Sequence, residues 1–126
     1  QLSRDHKPDL EDEHHRIISN RGRVFPFRDE EGNYLGPHRV WHPNFLYPGL
    51  AMSRSLGDCI AHQYGVTSDP EITQYKIQAH DKFIILASDG IWEFMSNQEV
   101  IDTLSIAIDE DDYGKAIEDL VTQAHE

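Results

Sequence analysis

The sequence KFIILASDG at Lys82–Gly90 is the strongest structural signal in the chain. Five consecutive apolar residues, Phe83 to Ala87, predict a β-strand over Lys82–Ser88 that is covered on both faces. Asp89 follows the strand, where a carboxylate is held by rigid structure and can bind a hard cation such as Mg²⁺ or Mn²⁺. Asp89 is therefore a candidate metal ligand, with an ordinary Asp-Gly turn as the alternative.

A helix is predicted immediately after this strand and turn. Ser96 and Glu99 have the spacing of a capping box, and Met95 and Val100 occupy the positions of a hydrophobic staple. Apolar residues then recur at helical spacing, so we expect a helix from about Asn97 to Ile108.

A last helix is predicted towards the end of the sequence, with Asp111 or Asp112 as its cap. One apolar stripe is expected to pack into the core. Its members are Ala116, Ile117, Leu120, Val121 and Ala124.

Upstream of the strand, the patterns predict shorter elements. Asp9–Asn20 reads as a helix with early acids and with Gly22 near its C-terminus. Arg23–Phe25 is a candidate strand, and Ile72–Ile77 is a candidate edge or half-buried strand. Pro26–Pro48 contains four prolines and predicts a long irregular loop.

Composition excludes several classes of protein. The 126 residues carry a net charge of −12, and residues 99–126 contain one base, Lys115, against nine acids. That acidity disfavours nucleic acid and anionic lipid as partners. The single cysteine, Cys59, rules out an internal disulfide, and no apolar run reaches membrane-spanning length. A reducing intracellular location, cytoplasmic or nuclear, is the simplest expectation.

Four segments together resemble the protein phosphatase 2C family, metal-dependent protein serine/threonine phosphatases. They occur in the family's order. The segments are Asp5–Pro8 (DHKP), Glu13–Val24, Leu50–Asp58 (LAMSRSLGD) and Phe83–Asn97 (FIILASDGIWEFMSN).

The resemblance implies an α+β fold, part of a β-sandwich flanked by helices, in which two Mg²⁺ or Mn²⁺ ions activate a water for attack on phosphorus. Asp89 matches a metal ligand of the family's Ser-Asp-Gly motif. The segments Ser53-Arg54 and Gly57-Asp58 end the part that corresponds to the family's substrate-side flap. A hydrogen bond between Arg54 and Asp58 is expected to brace that flap.

Two family motifs, Asp-Gly-His-Gly-Gly and a late Asp-Asn, are absent from these residues. Residues 1–126 are therefore expected to form the C-terminal half of a catalytic domain, with weak or no activity alone. The expected partners are a phosphoprotein substrate and the remainder of the domain or a second copy. A non-catalytic pseudophosphatase and an acidic partner-binding module are the alternatives.

Overall fold

The computed structural model describes residues 1–110 and 112–125, with side chains for 1–106 and 112–125. The chain divides into two compact units. One contains Leu2–Gln74, and the other contains the residues from Tyr75 onward together with Gln1. Helices and an antiparallel sheet are both present, which confirms the predicted α+β class.

The Leu2–Gln74 unit begins with helix α1, Glu11–Ser19, which confirms the predicted N-terminal helix. Three acidic residues occupy its first turn, where their negative charges interact favourably with the positive end of the helix dipole. The residue in the left-handed conformation after the helix is Arg21, with φ of 66°, and not Gly22. Gly22 is needed for a different reason: a Cβ there would lie 2.6 Å from Cγ2 of Ile17.

A three-stranded antiparallel sheet follows α1. It comprises β1 (Arg23–Arg28), β2 (Tyr34–Trp41) and β3 (Pro48–Leu50), in the spatial order β1-β2-β3. The predicted strand at Arg23–Phe25 is confirmed and extends three residues further.

The prediction of an irregular loop over Pro26–Pro48 is wrong, because most of that range is sheet. Pro26 pairs with His38 on the edge strand β1, and the next pair in the ladder is Phe27 with Leu35. Residues 36–37, Gly and Pro, are therefore left unmatched as a bulge. Edge strands and bulges are the places where a sheet tolerates proline.

The core of this unit lies between α1, the sheet and the short helix α2, Cys59–His62. Its side chains come from segments far apart in the sequence. They are Ile17, Val40, Ala61 and Val66, with Val24 and Leu50 partly buried against them.

The second unit contains no strand among its described residues, so the prediction of a strand at Lys82–Ser88 is wrong. The predicted strand at Ile72–Ile77, which starts in the first unit and ends in the second, is wrong too. A strand requires a neighbour to pair with, and the described residues provide none here. Burial over residues 83–88 nevertheless alternates with the period of a strand. Ile84 and Leu86 are 66% and 93% exposed, while Ile85 packs against the core, so one face is covered and not two.

Three helices form the rest of this unit: α3 (Asp89–Trp92), α4 (Asn97–Glu110) and α5 (Tyr113–His125). The core cluster unites Ile91, Val100, Leu120 and Ala124, with Ile85, Ala87, Met95 and Leu104 against it. None of the helices in the described part of the chain is long and apolar enough to cross a membrane.

The predicted caps and stripes are largely confirmed. Asp112 accepts a hydrogen bond from the Lys115 amide (3.1 Å), whereas Asp111, like the side chain of Ile108, lies outside the described residues. Of the stripe on α5, Ala116, Leu120 and Ala124 are buried, but Ile117 and Val121 are more than half exposed.

The capping box of α4 forms as predicted. The Ser96 amide donates to Oε2 of Glu99 (2.8 Å), and the Glu99 amide donates to Oγ of Ser96 (3.3 Å). These bonds satisfy two backbone donors that the helix leaves unpaired.

We expect Ser96→Ala to destabilise the unit that contains α4 by about 1 kcal/mol, because the helix loses its N-cap acceptor. The measurement is urea unfolding followed by helical circular dichroism. Ser105→Ala, the same change at an exposed site within α4, is the control and should not destabilise. Equal destabilisation by both variants would contradict the capping role.

Candidate functional site

Asp89 is the first residue of α3 and its side chain is exposed. Backbone hydrogen bonds from Ile91 and Trp92 to the carbonyl of Ser88 fix the turn on which it lies (3.1 and 3.4 Å). The indole of Trp92 also donates to the carbonyl of Ala87 (2.8 Å). The carboxylate is therefore presented to solvent from a backbone that is held on both sides.

The donor set around Asp89 is incomplete. Among the described residues there is no group of three or more His, Cys, Asp or Glu side chains that could hold a metal ion. Mg²⁺ and Mn²⁺ prefer several oxygen ligands, and Asp89 supplies one carboxylate. The described residues can therefore contribute one ligand to such an ion, but they do not form a complete metal site.

The most elaborate polar centre lies in the Leu2–Gln74 unit, around Glu13 on α1. The Glu13 side chain is fully buried. Nη1 and Nη2 of Arg16 donate to its two oxygens at 3.0 and 2.6 Å, and Nη2 of Arg54 donates at 2.6 Å. The hydroxyl of Ser53 donates to Oε2 as well. We call these four residues the Glu13 cluster.

Glu13 is ionised in this arrangement. Burial, the largest effect, raises the pKa of its carboxyl group, but the hydrogen bonds from Arg16, Arg54 and Ser53 together hold the pKa well below its usual range. The carboxylate in turn raises the pKa of Arg54. A buried anion with two cationic donors is stable only while all partners remain in place.

The structure gives Arg54 a different partner from the predicted one. No hydrogen bond joins Arg54 to Asp58; Arg54 instead binds Glu13 and donates through Nη1 to the carbonyl of Asp69 (3.1 Å). Asp58 is the N-cap of α2 and accepts from the Ala61 amide (3.3 Å). The two residues are therefore anchored separately, because the guanidinium of Arg54 is engaged by other acceptors and the carboxylate of Asp58 accepts from the start of α2.

The Ser53–Ser55 segment is fixed by backbone bonds too. The Ser53 amide donates to the carbonyl of His6 (2.9 Å), and the Ser55 amide donates to the carbonyl of Thr67 (3.0 Å). The Glu13 cluster and these bonds together attach this segment to the N-terminal stretch, to α1 and to the chain at Thr67.

Sequence reasoning did not identify Glu13 as a site residue. One signal was available: Glu13 and the core residue Ile17 lie four apart and so share a helix face, with Arg16 three residues from Glu13. The participation of Arg54 carried no local signal, because it lies 41 residues further along the chain.

Comparisons with known proteins agree with this fold. The family model for protein phosphatase 2C matches residues 1–126. "Probable protein phosphatase 2C 73" of Arabidopsis thaliana is 50% identical over 124 residues, covering 98% of this chain and 31% of the relative. "Probable protein phosphatase 2C 48" of Oryza sativa subsp. japonica is 42% identical over 124 residues, covering 34% of the relative.

A solved structure gives the same result for the fold. The serine-threonine phosphatase 2C of Toxoplasma gondii superposes with a TM-score of 0.79 at 24% identity, covering 98% of this chain and 41% of that one. This match confirms the predicted fold class, and it shows that the chain corresponds to part of a larger fold. The chain spans between about a quarter and a third of the length of these and other curated relatives that it matches.

Proposed function

Because this chain belongs to the protein phosphatase 2C family, we propose that it is part of a catalytic domain that hydrolyses phosphoserine and phosphothreonine in proteins. Residues 1–126 supply the C-terminal half of that domain in this proposal. The finding that the chain spans 31–34% of three relatives supports the view that it is one part of a larger protein.

The observation that carries the proposal is the position of Asp89. An exposed carboxylate follows a segment with strand-like burial and lies at the start of a backbone-anchored turn. Such placement suits a ligand of Mg²⁺ or Mn²⁺, whose chemistry in a phosphatase is to lower the pKa of a bound water and offset phosphate charge. The role of Asp89 is to hold one coordination position.

Arg54 and Asp58 have a supporting role in this proposal. Arg54 ties the Ser53–Ser55 segment to α1 through Glu13, and Asp58 starts α2. Both residues thus stabilise the part of the chain that matches the family's substrate-side flap, and neither is assigned a chemical step.

The chain alone is expected to have weak or no activity. One carboxylate does not bind two divalent ions at useful affinity, since each ion needs several oxygen ligands. The uncovered side chains of Ile84 and Leu86 also require a partner surface, supplied by the rest of the domain or by self-association. We place the protein inside the cell, where the exposed thiol of Cys59 stays reduced.

The test uses a chimera in which this chain replaces the matching 124 residues of the Arabidopsis relative. We expect Mn²⁺-dependent phosphate release from a phosphothreonine peptide by the chimera and not by the isolated chain. In the chimera, Asp89→Asn should lower the activity at least about 100-fold and weaken Mn²⁺ binding measured by calorimetry. The reason is the loss of one anionic ligand.

Glu118→Gln is the matched control, because Glu118 is an exposed acid on a different helix, α5. It should leave both activity and Mn²⁺ affinity unchanged. Full activity in the Asp89→Asn chimera would refute the ligand role. A chimera that folds and stays inactive would favour the non-catalytic alternative.

A further inference from the structure

The two faces of the β1-β2-β3 sheet differ in their surroundings. One face packs into the core through Val24, Val40 and Leu50. The cross-strand pairs on the opposite face are Arg23 with Trp41, Phe25 with Arg39, and Phe27 with Leu35. This outer face is largely apolar although it does not belong to the core cluster.

An open groove runs along the outer face. Its apolar walls are Phe27, Leu35, Trp41, Leu46 and Pro48, and its volume is about 480 Å³. Phe27 and Leu35 are each 49% exposed, and Leu46 is 69% exposed. A groove of this volume accommodates one or two bulky side chains of a bound segment.

The groove is preformed by interactions beneath it. Trp41 stacks on Phe25, with the ring centroids 5.3 Å apart, and its indole donates to the carbonyl of Phe25 (2.8 Å). Gly49 lies against the Trp41 ring, where a Cβ would come within 3.0 Å of the ring atoms. Binding therefore requires little rearrangement of the groove.

Arg39 is the one charged residue in the lining, and it is half buried. Its guanidinium makes a single hydrogen bond within the described part of the chain, from Nη1 to the carbonyl of Gly49 (2.8 Å). No described carboxylate lies within 4.0 Å of it. A partly desolvated cation without a counter-ion favours a carboxylate of a bound partner.

The surrounding charge limits how acidic that partner can be. Asp29, Glu30 and Glu31 lie in the turn between β1 and β2, and the whole chain carries a net charge of −12. A segment rich in acids would be repelled. One carboxylate beside Arg39 fits the local charge better than several.

We propose that this groove, on the sheet face away from the core, binds an extended peptide segment of another protein that carries bulky apolar side chains next to one Asp or Glu side chain. The apolar side chains occupy the space between Phe27 and Leu46, and the carboxylate pairs with Arg39. The proposal goes beyond phosphatase activity and holds whether or not the domain is catalytic.

The experiment measures fluorescence anisotropy of a labelled peptide, Gly-Ser-Leu-Phe-Asp-Gly-Ser, titrated with the chimera that carries this chain within the Arabidopsis relative. A second peptide has Asn in place of Asp. We expect saturable binding, with the Asp peptide preferred about tenfold, as is typical of a hydrogen-bonded charge pair. Arg39→Gln should abolish the preference, and Leu46→Ser should weaken binding of both peptides.

Arg28→Gln is the control, because Arg28 stacks on Tyr34 and is outside the groove lining. It should leave binding of both peptides unchanged. The proposal is overturned if no saturable binding occurs up to about 1 mM protein, or if Arg39→Gln keeps the preference for Asp. A dimer in sedimentation that Leu46→Ser dissociates would overturn it in favour of a second copy as the occupant.

Discussion

Replacing Glu13 with glutamine is expected to lower the free energy of unfolding of the Leu2–Gln74 unit by about 3–5 kcal/mol. Glutamine keeps the size of the side chain but removes the charge that Arg16 and Arg54 share. Both guanidiniums are largely buried, with side chains 28% and 18% exposed. The loss arises because the two cations lose the one carboxylate that both of them bind. Denaturant unfolding of the variant and the wild type measures it.

Glu11→Gln is the matched control. Glu11 is an exposed acid in the first turn of the same helix. The same chemical change there should have a far smaller effect on the free energy of unfolding, since surface charges contribute little. Similar losses in the two variants would show that the Glu13 cluster does not act as a buried ion network.

The same carboxylate gives the stability a defined pH dependence. Its pKa is lowered on folding from an ordinary value of 4.5. Its contribution is therefore fully present above about pH 4.5 and is lost as the pH falls through the lowered folded pKa. The unfolding free energy of the wild type should thus fall more steeply below that pH than that of Glu13→Gln.

Gly65→Ala is expected to destabilise the same unit by about 2–5 kcal/mol, from left-handed strain and overpacking together. Gly65 has φ of +90°, and a Cβ there would lie 2.7 Å from Cα of Ile17 and 2.9 Å from the carbonyl oxygen of Arg16. The obstructing atoms are helix backbone, so the clash is relieved only if α1 or the backbone around residue 65 moves. Thermal and denaturant unfolding of the purified variant measure the loss.

Gly32→Ala separates strain from clash. Gly32 has nearly the same φ, +89°, but nothing lies within 4 Å of the added Cβ. Its loss should be confined to the conformational penalty of about 1–2 kcal/mol. If Gly65→Ala cost no more than Gly32→Ala, the close approach to α1 would have no energetic importance.

Local signals predicted the three longer helices, α1, α4 and α5, well, whereas the short helices α2 and α3 were not predicted. The capping box at Ser96 and Glu99 and the apolar spacing of α4 and α5 are properties of a few neighbouring residues. Such residues fix a helix through bonds within the segment itself. The boundaries of α1 and α4 accordingly differ from the predictions by two residues or fewer.

Strands depend on distant partners, and there the predictions failed in both directions. β2 was missed because Pro37 signals a loop, whereas the register places it in a bulge. Lys82–Ser88 has strand-like composition and strand-like burial but no pairing partner among the described residues. The composition of a segment indicates its preference for the strand conformation, but whether it pairs depends on whether another strand lies next to it.

The candidate site divides in the same way. Asp89 was identified because its motif is contiguous, and its role as a ligand stays a prediction. The contact between Glu13, on α1, and Arg54, in a loop, was missed. The two residues lie 41 positions apart, and no local pattern predicts that segments so far apart in the sequence come into contact.

The one-sided burial of residues 83–87 has a consequence for biosynthesis. An uncharged run of five apolar residues with an uncovered face favours intermolecular β-aggregation while the polypeptide is being made. Charged residues flank the run on both sides: Asp81 and Lys82 before it, and Asp89 shortly after it. Charges in such positions act as gatekeepers that oppose stacking of identical segments. Asp89 thus supplies one of these flanking charges, apart from the role as a metal ligand that we propose for it.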